Sequence, residues 1–373
     1  MPFDNLTLAY LLEELKPVLD GSYVNKVAEL KNGYLKIKLH SKQGSKDLIL
    51  APNDIFLTSF SLQARHGKTN FAVAAKKELY NKRLVSIEQN HADRVVTLKF
   101  LEHSIVLELM GEGNKILLDS QGKILSCQRN EKWADREVKK GIAYVYPKPR
   151  GVDPKSLDEK GLAEFFSKSN QNAIRALISY ADISPLAAEE TFHFLRIEKS
   201  VPAEKISASD AKKIAQSARD LYSLKKPASP VKYEKFAYPF ALTHLAEKPV
   251  PIKSLNFYAD ETVSAQLSRS EVAQEKGVAE KEVSKLEFHA KAQGEARNKF
   301  EKQSQEAQKK AELIYEHYAE LEELKNAIFL GVKAGAKEKE IMYKIHSAAS
   351  KGNRAARLLV SIDLAKKKFT AEL

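Results

Sequence analysis

Asp93 and Arg94 stand side by side in a short polar stretch, His91-Ala92-Asp93-Arg94, between two apolar runs. Neighbours on a regular strand project to opposite faces, so this acid and base do not form a simple ion pair while the strand stays regular. A plain structural role is available to both: Asn90 and Asp93 favour turns, and Arg94 can be a solvated first strand residue. A second acid, Asp4, precedes an apolar-periodic run and suits a helix N-cap. It also lies two residues from Pro2, whose secondary amine is free once Met1 is removed. A proline imine beside an acid is how one class of DNA glycosylases acts on extruded bases. In that class the acid follows the proline directly, whereas here Phe3 intervenes, and the cysteine-rich finger of those enzymes is missing.

Other chemistry is excluded by motif. No histidine pair has zinc spacing, and Gly67-Lys68-Thr69 lacks the glycine that a phosphate loop needs five residues earlier, where Leu62 stands. There is no G-x-S-x-G elbow, and Cys127 is the sole cysteine. The sequence therefore predicts no catalytic residue, no metal and no cofactor. With 61 Lys+Arg against 49 Asp+Glu, the net charge of +12 favours a polyanionic partner, nucleic acid ahead of anionic membrane. No apolar run reaches the roughly 20 residues of a membrane span, and the first residues lack a basic leader, so a cytoplasmic protein is expected.

The corner 90–94 needs elements to hold it. Asn5 to Leu19 reads as a helix, with Leu8, Leu11, Leu12, Leu15 and Leu19 on one face. From Tyr23 to Phe60 the period changes to two, giving four short strands, the first pair joined by Asn32-Gly33. Phe71 to Tyr80 is a helix carrying Lys76 and Lys77. Then come half-buried strands on either side of 90–94, and three more through Arg129. Three prolines and a glycine near 145–154 end this part. The segment 154–225 is helical, with a helix–turn–helix joint at Ala181-Asp182 and a Ser184-Pro185 helix start. A proline-rich return segment follows, expected to dock on the first domain. Thr262 to Leu330 reads as one helix about 100 Å long, with a heptad stripe through Leu286, Phe300, Ile314 and Leu321. Two short helices and a strand-like tail complete the chain. With no matching helix to cover the stripe, the sequence reads as a fragment of something longer.

The stretches FDNLTLAYLLEELKPVLDGSYVNKV, LAPNDIFLT, FAVAAKKELYNKRLVSIEQNHADRVVTLKF, MGEGNKILLDSQGKIL, LIYEHYAELEELKNAI and LLVSIDLAKKKFTAEL, in this order, resemble the NFACT family, which includes RqcH, NEMF, Caliban and fibronectin-binding protein A-like proteins. The resemblance implies an α+β chain: a glycosylase-like antiparallel-sheet domain (1–150), a helix–hairpin–helix-like module (151–225), an extended return (226–261) and a truncated coiled-coil arm with a small tip (262–373). It also implies ribosome-associated quality control. Such a protein binds a split large ribosomal subunit holding peptidyl-tRNA and recruits tRNA, commonly alanyl-tRNA, for untemplated tailing; the peptide transfer is the ribosome's, so no enzyme is implied. The family's functional residues fall on Asp4, Asp93 and Arg94, expected to face tRNA. Arg94 suits a planar contact to phosphate or a base edge, and Asp93 can accept from a base amine or hydroxyl. Lys76, Lys77, Lys82 and Arg83 are secondary phosphate candidates. Three departures stand out. Lys76-Lys77-Glu78 replaces an Arg-Lys-His run, the Ala181-Asp182 turn lacks glycine, and no returning helix or C-terminal RNA-binding domain follows Leu373. The glycosylase using Pro2 is the alternative, a surface adhesin the third reading, and the uncovered arm suggests self-association.

Overall fold

The carboxylate of Asp4 caps the first helix as expected, accepting the Thr7 N–H at 2.7 Å. The computed structural model describes residues 3–41, 44–64 and 69–373, excepting the side chains of 268–280. Pro2 and the Gly67-Lys68 pair lie outside the described residues. The chain divides into two compact units, 1–273 and 274–373.

In the first unit, α1 (Asn5–Leu19) buries Leu6, Leu8, Leu11, Leu12, Leu15 and Leu19. Two antiparallel meanders follow. The first sheet pairs β1 (Tyr23–Glu29), β2 (Leu35–Ser41), β3 (Gly44–Leu50) and β4 (Ile55–Thr58) in sequence order. Its first hairpin turns at Asn32 and Gly33, with φ of 56° and 75°, the left-handed pair that joins twisted strands with little strain. After α2 (Asn70–Leu79), the second sheet runs β5 (Leu84–Gln89), β6 (Val95–Phe100), β7 (Ser104–Glu108), β8 (Asn114–Leu118) and β9 (Ile124–Cys127), again in order.

The strands after the 90–94 corner differ from the half-buried expectation. Val96 and Leu98 join the main core, while Val95, Val106, Ile116, Leu118 and Ile124 form a second apolar layer on the opposite face. That layer is closed by Val138 from a small hairpin, β10 (Glu131–Lys132) with β11 (Glu137–Val138), and by Ile142 and Tyr144. Burial on both faces explains why these strands read as near-continuous apolar runs.

Four helices form the next layer: α3 (Glu159–Lys168), α4 (Ala173–Tyr180), α5 (Pro185–Phe194) and α6 (Ala208–Tyr222). Ser184 caps α5, with Pro185 in its first turn. The proline-rich return holds β12 (Val231–Lys232), β13 (Ala237–Tyr238) and β14 (Val250–Pro251), a three-stranded patch with β12 in the middle. It docks through Tyr10, whose hydroxyl donates to the Lys226 carbonyl at 2.8 Å and whose ring meets Phe240 edge-on at 6.0 Å. The Glu14 carboxylate accepts the N–H groups of Leu255 and Asn256, both at 3.0 Å, at the start of α7 (Leu255–Ala259). A negative group at a helix N-terminus is stabilising, so α1 fastens α7 in place. One apolar core runs from Phe3 to Leu267, through both sheets, the helices and the return segment.

The expected single helix from Thr262 to Leu330 is divided. A π turn (Asp260–Ser264) precedes α8 (Ala265–Glu316), and His317, at φ −106° and ψ 23°, separates α8 from α9 (Tyr318–Lys333). The π turn is anchored where Asp260 accepts the Ser59 N–H and hydroxyl at 2.8 Å each, and Ser264 meets Thr58 at 3.0 Å. No proline or glycine explains the break at His317.

In the second unit Leu286, Phe300 and Ile314 of the stripe are exposed, whereas Leu324, three residues past the stripe's Leu321, is buried with Ile341, Ile345, Leu359 and Ile362. This small core unites α9, α10 (Glu338–Ser350), α11 (Arg354–Arg357) and a hairpin, β15 (Leu359–Asp363) with β16 (Lys368–Ala371). The tail expected as one strand is thus two, turning at Lys367 with φ 53°.

Candidate nucleic-acid interface

Asn5, the first residue of α1, gathers the site. Its amide nitrogen donates to the Ala92 and Asp182 carbonyls, each at 2.7 Å, and its amide oxygen accepts the Tyr222 hydroxyl at 2.8 Å. Tyr222 in turn accepts the Ser184 N–H at 2.8 Å. Gln89 closes the arrangement, donating to the Asn5 carbonyl at 2.9 Å and the Asp93 carbonyl at 2.8 Å. The start of α1, the corner between β5 and β6, and the α4–α5 turn are therefore one hydrogen-bonded unit. Amide, phenol and main chain satisfy each other in the interior, which fixes the geometry of all three segments.

The corner closes with Asp93 N–H on the Asn90 carbonyl at 3.0 Å and Asn90 N–H on the Val95 carbonyl at 2.8 Å. His91 takes φ 50°, and its ring lies 3.5 Å from the Asp153 carboxylate. Asp93 uses its carboxylate locally, accepting the Arg94 N–H at 2.7 Å. The Arg94 guanidinium reaches the other way, donating to the Asn53 carbonyl at 3.2 Å. Both residues lie in the bend before β6, where strand alternation does not apply; among the described residues no ion pair joins their side chains.

The 52–54 turn held by Arg94 is backed by Gly113. A Cβ at Gly113 would fall 1.6 Å from the Pro52 carbonyl oxygen, and its φ of +70° disfavours a side chain anyway. Arg129 holds that glycine's carbonyl and pairs with Glu112 at 2.7 Å and Glu131 at 3.1 Å.

The electrostatics differ from the basic surface that the net charge predicts. Asp54 is pushed up to about 7 by burial, with Arg94 pulling it down. Asp182 is pushed up to about 6, first by burial and then by Asp93, with Arg150 opposing. Burial lowers the Arg94 guanidinium, while Asp54, Asp4 and Asp93 hold it charged. The immediate surroundings of Arg94 are acidic, so the positive surplus of the chain sits elsewhere. Several polar atoms here are buried without a partner: Asp4 Oδ2, Asp54 Oδ1, Asn53 Oδ1, Arg94 Nε and the Tyr238 hydroxyl.

The secondary cations are not brought to this place. Lys76 and Lys77 are exposed in the last turn of α2, Lys77 lying 3.3 Å from Glu78. Lys82 pairs with Glu102, and Arg83 is exposed. Lys82 and Arg83 precede β5 whereas Asp93 follows it, and six residues of strand separate them by roughly 20 Å.

Asp93 lines a cavity of about 480 Å³ together with Arg129, Trp133, Asp135, Arg136 and Arg150. Sequence reasoning missed this wall. A signal was present: Ala134-Asp135-Arg136 repeats Ala92-Asp93-Arg94 at a second hairpin corner. Among the described residues there is no group of three or more His, Cys, Asp or Glu that could hold a metal, and no helix long and apolar enough to cross a membrane.

A family model of the NFACT N-terminal and middle domains matches residues 4–368. The chain belongs to the NFACT family. This NFACT chain is 26% identical over 346 residues to the archaeal Rqc2 homolog aRqcH of Methanocaldococcus jannaschii, covering 87% of this chain and 51% of that protein. It is 29% identical over 150 residues to the human ribosome quality control complex subunit NEMF, covering 39% of this chain and 14% of that protein. The NFACT chain thus spans about half or less of the length of these relatives. In fold it is similar to the N-terminal part of the fibronectin/fibrinogen-binding protein from Streptococcus suis, with a TM-score of 0.58 and 18% identity over 70% of this chain and 99% of that one.

Proposed function

We propose that this chain is the tRNA-facing part of a ribosome-associated quality-control factor, with Asp4, Asp93 and Arg94 as its contact set. Family membership and the names of the relatives support quality control. The observation that supports the tRNA reading is the Asn5 unit: it holds the start of α1, with Asp4, beside the Asp93-Arg94 corner, where Asp93 lines an open cavity together with Arg129 and Arg150. Splayed loop bases and their phosphates offer partners to such a lining of acids and arginines. The whole factor binds the large subunit with peptidyl-tRNA and recruits tRNA, alanyl-tRNA by resemblance, for tailing. It does no covalent chemistry of its own and works in the cytoplasm. In the same reading the sheet domain is glycosylase-like, 151–225 is a helix–hairpin–helix-like module, and the exposed stripe on α8 belongs to a coiled coil.

Affinity capture of this chain from native lysate, followed by RNA sequencing, tests the reading. Enrichment of large-subunit RNA with a narrow set of tRNAs is the expected result. An unselective, salt-labile nucleic-acid signal, or none, overturns it.

A further inference from the structure

Trp133 is the only tryptophan of the chain and is 41% exposed, an unusual place for the largest apolar side chain. It sits at the tip of the β10–β11 hairpin, where its main-chain N–H donates to the Arg136 carbonyl at 2.8 Å. The Arg136 guanidinium lies over the indole, 4.0 Å from the ring centroid. Arg136 is itself fixed: its two terminal nitrogens donate to the Glu108 carboxylate at 2.5 and 2.9 Å, and the Tyr144 hydroxyl donates to the same carboxylate at 2.8 Å. The Arg136 and Glu108 side chains are 8% and 6% exposed. An arginine locked this way is not free to bind a phosphate. Its role is to hold the indole, a pre-organised aromatic surface whose ordering cost is met on folding.

That surface belongs to the same cavity as Asp93. Other groups around the cavity are mixed in sign. Glu112, Glu131 and Asp135 lie there as well, and Arg129 and Lys148 are engaged by them. Such a lining disfavours a run of phosphates. It suits a single base, whose π face stacks on the indole and whose ring and amino N–H groups meet carboxylates. Arg150 is exposed, lines the cavity, and has no hydrogen bond or ion pair among the described residues, so it remains available to one adjoining phosphate.

We infer that Trp133, held on Arg136, is a stacking platform for one unstacked base of a bound RNA loop. The inference rests on the tRNA reading of the Asp93-Arg94 corner and adds a specific contact to it. Because the chain has a single tryptophan, its own fluorescence reports the contact directly. The intact chain is titrated with an unfractionated tRNA pool, following indole emission and, separately, the anisotropy of end-labelled tRNA. Saturable quenching is expected in step with the anisotropy change. Trp133→Ala is expected to weaken binding about 5- to 150-fold, and Trp133→Phe to restore most of it, with thermal midpoints unchanged. If the anisotropy reports binding that Arg94→Ala weakens, while emission is unmoved and Trp133→Ala binds like the parent, the platform is wrong and the corner reading stands. If the parent chain does not bind tRNA, both fall.

Discussion

Asp4 caps α1, and the proposed tRNA contact would add a second duty that one substitution can separate from the first. Its Oδ1 caps α1, while Oδ2 is buried and unpartnered. Asparagine is as good a cap as aspartate, whereas alanine forfeits about 0.5–2 kcal/mol. Asp4→Asn should therefore melt within a degree or two of the parent yet lose tRNA affinity, and Asp4→Ala should lose both. Calorimetry alongside a binding titration checks this; an Asp4→Asn chain that binds like the parent would confine Asp4 to the cap. At this scale the sequence was only half readable. A cap is a local matter, visible in an acid before an apolar-periodic run. That Asp54 crowds Arg94 and Asp182 crowds Asp93 is not local: the two acids come from turns far apart in the chain, brought in by the carbonyl of Asn53 and by Asn5.

Elements were more legible where one face meets the core and less so where both do. The α1 stripe, the Asn32-Gly33 turn and the order of the nine long strands follow from period and turn chemistry. The second apolar layer over β6, β7 and β8 does not, because its cover is a hairpin of two-residue strands too short to show any period. The return segment packs on α1 through specific contacts. Its anchors, Tyr10 and Glu14, are polar groups on a helix whose apolar face alone the periodicity reports. The turn at Gly113 gives a prediction at this scale. Gly113→Ala combines a left-handed φ with a clash against the Pro52 carbonyl, so the 52–54 turn must move. A loss of about 2–4 kcal/mol in urea unfolding is expected, the sum of backbone strain and overpacking. Gly111→Ala, where nothing lies within 4 Å, should cost only the smaller strain of its φ of +57°. Equal losses at the two glycines would contradict the close approach.

For the whole molecule, the buried Asp54 and Lys115 and the half-buried Asp182 set opposing pH trends. Asp54 and Asp182 have folded values raised to about 7 and about 6 from an ordinary 3.8, so the folded state binds protons the unfolded chain does not. Their contribution to stability is present below about pH 4 and is lost as pH rises through 6 and 7. Lys115, 1% exposed and bonded to the Gly33 carbonyl at 2.9 Å and to Gln128 at 3.0 Å, is lowered by burial from 10.5 to about 7. Its contribution is present above about 10.5 and is lost as pH falls through 7. The thermal midpoint on account of these groups should therefore dip near neutrality, and Asp54→Asn should make the acid side shallower, leaving the Asp182 part, with the alkaline side unchanged. A second consequence concerns binding. Between pH 8 and 5.5 Asp54, beside Arg94, and Asp182, beside Asp93, lose negative charge, so tRNA affinity should rise several-fold. An Asp54→Asn/Asp182→Asn chain should show a flat profile; an identical rise in that chain would mean the charge lies elsewhere.

The central claim is that the corner between β5 and β6 faces tRNA, and it has a direct measurement. Equilibrium binding of labelled tRNA to the parent chain and to Asp93→Ala/Arg94→Ala, at one salt concentration and with folding verified by circular dichroism, compares the two. Removing a charge-assisted contact set of this kind predicts at least a tenfold loss of affinity. A folded double variant that binds tRNA as tightly as the parent would contradict the account.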